Sequence, residues 1–256
     1  MSALDAKSVT PHRMGSGAPL VLLHCLGVDH RFWDFATPLA DRFTLLRYDL
    51  PGHGATPVPA APYSIADLSG QLAAILELNG IGRASIAGIS LGGLIAQHFA
   101  AHRPEMVERL VLVDTTPRYS DEIRGMWTVR AQTARTKGVA AMVPDLLKIW
   151  FSDDALARDP ESVRYVRETL QRTSGEGYAL ACEALGAADL RPDAARIRAP
   201  TLVVCGENDI PSFLDSARWL AENIKGAKLV WIPRTRHASV IECPDQALKL
   251  LSDFLS

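Results

Sequence analysis

The chain has 256 residues, 48% of them hydrophobic and 22% charged, the usage of a folded globular protein, which excludes disorder and fibrous repeats. Its 27 basic residues stand against 29 acidic ones for a formal net charge of −2, so no overall field gathers nucleic acid or an anionic membrane surface. Residues 1–17 lack a basic stretch followed by an apolar run, and the apolar runs elsewhere are strand-length, so the expectation is a cytoplasmic protein with no membrane span.

Short apolar runs bounded by turn residues recur along the chain, at Pro19 to Cys25, Phe43 to Tyr48, Ala84 to Ile89, Arg109 to Val113, Pro200 to Cys205 and Lys228 to Ile232. They are near-continuous rather than alternating, as strands covered by helices on both faces require. Helical spacing fills the intervals at Ile65 to Leu78, Leu94 to Ala101, Phe213 to Asn223 and Gln246 to Phe254. The alternation predicts an α/β protein with a doubly wound, mostly parallel sheet. It breaks over residues 116–199, where helix-patterned stretches follow one another without a strand. Pro144, Pro160 and the Gly175/Gly177 pair divide that segment into roughly four helices. The expected organisation is a core of residues 1–115 and 200–256 carrying a helical cap inserted at 116–199.

Taken in chain order, the first strand ends in His24-Cys25-Leu26-Gly27, where the Leu26 N–H is placed to donate to a developing oxyanion and His24 to brace the loop. Asp49-Leu50-Pro51-Gly52-His53-Gly54 is a glycine-rich turn without the lysine or spacing of a phosphate loop, so it reads as scaffolding, with His53 shaping the pocket floor. Gly88-Ile89-Ser90-Leu91-Gly92 lies between a strand pattern and a helix pattern, the context in which a serine is held on a tight turn as a nucleophile. The helix beginning there aims its N-terminal amides, Leu91 N–H first, at the reacting centre. The plainer alternative is that Ser90 only caps the helix. His98 and His102 have metal-ligand spacing but lack the glutamate of a zincin, and no metal is expected there.

A serine hydroxyl needs a base, and the base needs an acid to orient it. His237 is the only histidine in the C-terminal half of the chain and follows the last strand. Asp209 follows the strand before it, in Gly206-Glu207-Asn208-Asp209, which completes the order serine, aspartate, histidine. Asp114, at the end of an earlier strand, is the rival acid. Cys25, Cys182, Cys205 and Cys243 contain no C-x-x-C pair and read as free buried thiols. Of the large cap residues Met126, Trp127, Leu146, Trp150, Phe151 and Tyr178, most are expected to pack the cap and one or two to line the pocket.

From about Leu20 to Leu255 the sequence resembles the α/β-hydrolase superfamily, through H-C-L-G at 24, Y-D-L-P-G-H-G at 48, G-I-S-L-G-G at 88, G-E-N-D at 206 and R-H-A-S-V-I-E-C-P at 236. Within that superfamily it is most similar to the 3-oxoadipate enol-lactonases, through G-I-S-L-G-G-L-I-A-Q, Trp127-x-x-Arg130, Trp150-Phe151 and Gly177 through Ala188-Asp189-Leu190-Arg191. The resemblance implies the α/β-hydrolase fold, Ser90, Asp209 and His237 as catalytic residues, and the opening of a small carboxylate-bearing lactone without cofactor or metal. Trp127, Trp150 and Arg130 would meet the substrate, Arg130 by pairing with its carboxylate. Two positions depart from the enol-lactonase pattern: His24-Cys25 stands where Asn-Ser is usual, and Arg236 where a small residue usually precedes the histidine. A general carboxylesterase, another lactonase or a carbon–carbon hydrolase shares the same frame, and a non-catalytic small-molecule receptor is the reading outside enzymes. A haloalkane dehalogenase is disfavoured, because aspartate would stand at position 90.

Overall fold

The computed structural model describes residues 4–256. Its sheet has seven strands in the order β1-β3-β2-β4-β5-β6-β7. These are β1 (His12–Met14), β2 (Ala18–Leu23), β3 (Phe43–Arg47), β4 (Ala84–Ile89), β5 (Val107–Val113), β6 (Thr201–Gly206) and β7 (Lys228–Ile232). All neighbours run parallel except β1, which pairs antiparallel with β3 through His12 and Arg47. The central strands are buried along most of their length, because helices cover both faces. Each fully buried Leu, Ile or Val there contributes roughly 1.5–3 kcal/mol. At the far edge β7 is buried only at Ile232, so its apolar run does not reflect double coverage.

The core helices are α1 (Ile65–Leu78), α2 (Leu91–His102), α8 (Pro211–Asn223), α9 (Ser239–Glu242) and α10 (Pro244–Leu255). Between β5 and β6 lie α3 (Asp121–Lys137), α4 (Val143–Trp150), α5 (Asp153–Arg158), α6 (Glu161–Arg172) and α7 (Gly175–Ala187), five helices where the sequence suggests about four. The extra one is α5, six residues long. Serine starts three of these cap helices: Ser120, Ser152 and Ser174 each accept a hydrogen bond from a first-turn N–H. Helix α3 lies along α7, clamped where the Arg135 guanidinium meets Glu176 and Glu183.

Cap and core touch most closely where α7 meets the turn after β3. A Cβ on Gly177 would sit 2.8 Å from Gly52 Cα, so only glycine at both positions lets the two backbones approach. Among the described residues no helix is long and apolar enough to cross a membrane. Cys25, Cys182 and Cys205 are buried free thiols, whereas Cys243 is only half-buried.

Candidate active site

Ser90 stands between β4 and α2 with φ 51° and ψ −111°, a conformation that costs a non-glycine residue energy and persists only when its surroundings impose it. They do: Ser90 N–H donates to Val113 O at 2.9 Å, and Ser90 O accepts from Thr115 Oγ1 at 2.8 Å and Leu94 N at 3.0 Å. The flanking glycines serve the same turn by close approach. A Cβ on Gly88 would lie 2.2 Å from Gly92 O, and one on Gly92 would lie 2.4 Å from Leu23 O.

The loops after β6 and β7 bring the two other candidates together. His237 Nδ1 donates to Asp209 Oδ2 at 2.8 Å, and both side chains are buried. Asp209 Oδ1 accepts from Ile210 N at 2.7 Å, which fixes the carboxylate's rotation. Burial disfavours the imidazolium, yet the Asp209 charge and hydrogen bond outweigh it, and the His237 pKa is raised above its ordinary value. With Nδ1 committed to Asp209, Nε2 is the nitrogen left for proton transfer.

Asp114 makes no hydrogen bond to His237. Its Oδ1 accepts from Gly206 N at 2.9 Å, and its Oδ2 from Ser239 N at 3.1 Å and Ser239 Oγ at 2.6 Å. It therefore ties the end of β5 to the end of β6 and to the start of α9. Burial, followed by the nearby Asp209 charge, pushes its pKa up to about 7.

Ser90 and His237 line one cavity of about 100 Å³ together with Leu26, Trp127, Arg130 and Trp150. Leu91, the first residue of α2, follows Ser90 directly. The sequence did not mark five other lining residues: Tyr119, Ile123, Ile149, Ile210 and Phe213. Tyr119 and Ile210 were detectable only in that each follows a strand end, where binding loops gather. Phe213 packs its ring 4.3 Å from the His237 ring and 6.0 Å from Tyr119.

The cavity's polar equipment is one-sided. Tyr119 Oη lies near Ser90 but has no hydrogen-bond partner of good geometry, and Trp127 Nε1 has none either. Burial pushes the Tyr119 phenol pKa well up, so the hydroxyl stays a donor. The Arg130 guanidinium sits 4.8 Å over the Trp127 ring and pairs with no carboxylate among the described residues. Among the described residues that line the cavity, Arg130 is the only arginine or lysine, and the Tyr178 hydroxyl is its neighbour.

His24 braces its loop as expected, with Nδ1 donating to Cys25 O and Nε2 accepting from Leu50 N, both at 2.8 Å. His53 does not shape the pocket floor. It is buried and absent from the cavity lining, with Nδ1 3.0 Å from Pro51 O and its ring tilted against that of His24 at 5.5 Å. Potential metal ligands gather at His12/His30/Asp49, His98/His102/Asp193 and Asp114/Cys205/Asp209. In the first two groups the imidazoles stack nearly parallel, 3.6 and 4.0 Å apart, so their in-plane lone pairs do not converge on one ion. In the third the carboxylates are held by the hydrogen bonds described above.

Residues 20–249 match the model of the alpha/beta hydrolase family. The chain is 32% identical to 3-oxoadipate enol-lactonase 2 of Acinetobacter baylyi over 88% of its own length and 84% of the relative's. It is 34% identical to a pimeloyl-acyl-carrier-protein methyl ester esterase of Chromobacterium violaceum, over 94% and 96%. The crystal structure of the enol-lactonase from Burkholderia xenovorans LB400 superposes with a TM-score of 0.92 at 37% identity, covering 96% of each chain.

Proposed function

The chain belongs to the alpha/beta hydrolase family, and from that premise we propose that it opens a small carboxylate-bearing lactone, of the 3-oxoadipate enol-lactone kind, through an acyl-enzyme on Ser90. Ser90 Oγ attacks the lactone carbonyl and passes its proton to His237 Nε2. Asp209 holds the imidazole by Nδ1 and stabilises the imidazolium that forms. The oxygen that becomes negative takes hydrogen bonds from the N–H groups of Leu26 and Leu91. As the ring carbon–oxygen bond breaks, the leaving oxygen recovers the proton from His237. Water then attacks the acyl carbon, giving its proton to the same nitrogen, and Ser90 leaves as the alcohol. Every proton is handled by one histidine, so the chemistry needs neither cofactor nor metal.

The observation that carries the substrate reading is a fixed cation on a small, mostly apolar wall. Arg130 borders a cavity of about 100 Å³ whose other lining is mostly apolar, and its guanidinium is held over the Trp127 ring. Guanidinium and carboxylate match in shape and charge, so a substrate carboxylate is the partner this position would take. The 116–199 segment is then a lid that supplies recognition while the sheet edge supplies chemistry. A small linear ester is the second reading, favoured by the likeness to the methyl ester esterase.

Turnover of 3-oxoadipate enol-lactone and of an uncharged aryl acetate by wild type, Ser90→Ala and Arg130→Ala separates these readings. Loss of both activities in Ser90→Ala supports the nucleophile, and full retention removes it. In Arg130→Ala the lactone's kcat/KM is expected to fall about 100-fold while the aryl acetate changes little. Equal losses on both substrates would leave the ester reading standing instead.

A further inference from the structure

The residues on either side of His237 are both hydrogen-bonded to the cap. Arg236 Nη1 donates to Lys148 O at 2.9 Å, to Phe151 O at 3.0 Å and to Asp153 Oδ1 at 3.0 Å, and its Nη2 reaches Asp153 Oδ2 at 3.2 Å. Ala238 N–H donates to Trp150 O at 2.8 Å. Lys148, Trp150 and Phe151 are the end of α4, where backbone carbonyls have no helical partner and where the helix dipole favours a cation. Three of these carbonyls are thus satisfied by the two neighbours of one histidine. The same turn of α4 carries Ile149 and Trp150 into the cavity, and the Trp150 ring stands 6.3 Å from the His237 ring. A few residues on, Ser152 hydrogen-bonds Glu242 at the end of α9, so the seam runs from 148–153 on the cap to 236–242 on the core.

We propose that Arg236 is a positioning residue that couples the cap to the general base, so that His237 is held in line with Ser90 only while the end of α4 is seated against it. The inference rests on the reading of His237 as the base. Its energetic centre is the pair of carbonyls and not the ion pair: the Asp153 side chain is 86% exposed, so its charge is largely screened, whereas that of Arg236 is 29% exposed. Unseating α4 removes the Trp150 and Lys148 carbonyls from the histidine loop together. Chemistry is then confined to the closed cap.

The test uses the whole protein and a small fluorophosphonate, which phosphonylates an activated serine with loss of fluoride and so reports the Ser90–His237 pair without reference to the natural substrate. In Arg236→Ala, Ser90 labelling and kcat for a small aryl ester are both expected to fall about 10- to 100-fold, with KM within about three-fold, the pattern of a misplaced catalytic group. Arg236→Lys, which can still donate to the carbonyls, is expected to recover most of that loss, and Asp153→Asn to lose about two-fold or less. Hydrogen exchange of the Arg236 variants rises at 147–153 and 236–241 together, with other segments unchanged. Labelling and kcat within about two-fold of wild type in both Arg236 variants would overturn the proposal. So would a uniform rise in exchange across the chain, which marks a merely structural role. Should Arg236→Ala fail to fold, Arg236→Gln, too short to reach the carbonyls, takes its place with the same expected losses and the same overturning result. Wild-type protein that is not labelled at Ser90 would instead remove the parent reading, and the coupling with it.

Discussion

In the proposed mechanism His237 accepts a proton from Ser90, and the balance of forces on it sets where on the pH scale it can do so. Burial works against its charged form, but Asp209 prevails, so its pKa lies above 6.5. An imidazolium is no base, and kcat/KM for a small ester is therefore expected to fall on the acid side with a midpoint above 6.5. Asp209→Asn keeps the shape but removes the main opposition to burial; kcat should drop on the order of 10³- to 10⁴-fold, and the remaining activity should have its midpoint displaced to lower pH. A profile whose midpoint is unmoved in that variant would count against Asp209 as the partner that matters. Asp114 makes the opposite case. As an acid whose folded pKa is raised to about 7 from 3.8, it binds its proton more tightly folded than unfolded, so its contribution to stability declines as pH rises from about 4 through 7. Asp114→Asn lacks that decline, and its deficit against wild type in thermal unfolding should be larger at pH 5 than at pH 8. A deficit that grows with pH would show the carboxylate to be charged throughout. The sequence offered Asp114 and Asp209 as rivals because both follow strand ends; only their neighbours, Ser239 and Gly206 for one and His237 for the other, separate them.

At the level of elements, what was legible and what was not divides along physical lines. Strands β2 to β6 announce themselves because coverage on both faces demands unbroken apolar runs. β1 leaves no such mark: His12, Arg13 and Met14 are all exposed on an edge, and their pairing with β3 is a backbone affair. The strand-to-helix turn at Ser90 was readable because its geometry constrains residue type at Gly88, Ser90 and Gly92. The cavity wall was less so, since which face of α3, α4 or α8 meets the site depends on how each docks. One docking contact makes a direct prediction. With Gly177 against Gly52, a methyl group in Gly177→Ala has to push α7 off the turn, at a cost of about 1–3 kcal/mol. For a chain of this size that is roughly 2–12 °C in melting temperature, measured by circular dichroism. Thr173 Oγ1, which donates to Gly27 O at 2.7 Å, anchors the end of α6 to the loop beside Leu26, so the displacement should also slow acylation. An unaltered melting point would mean that the two backbones have slack the distances do not show.

For the molecule as a whole, the decisive dimension is the size of the cavity at Ser90. About 100 Å³ is well below the 300 Å³ or more of common ligand pockets. A small lactone is the scale of substrate it suits, and much larger ones need the surrounding helices to move. Esters of increasing acyl length should therefore lose kcat/KM abruptly, not gradually, once they outgrow the closed cavity. With the preferred substrate, added viscogen should slow turnover if lid movement limits it. A smooth decline with chain length would indicate an open groove in solution. A chamber of this volume also holds little water, since each molecule in the liquid claims about 30 Å³. With an acyl group in residence little of that space is left, so the water that completes hydrolysis reacts as one of very few molecules, not as bulk solvent. A small alcohol admitted in its stead would be esterified, and the proportion of transferred to hydrolysed product would gauge how strictly the chamber selects its second occupant.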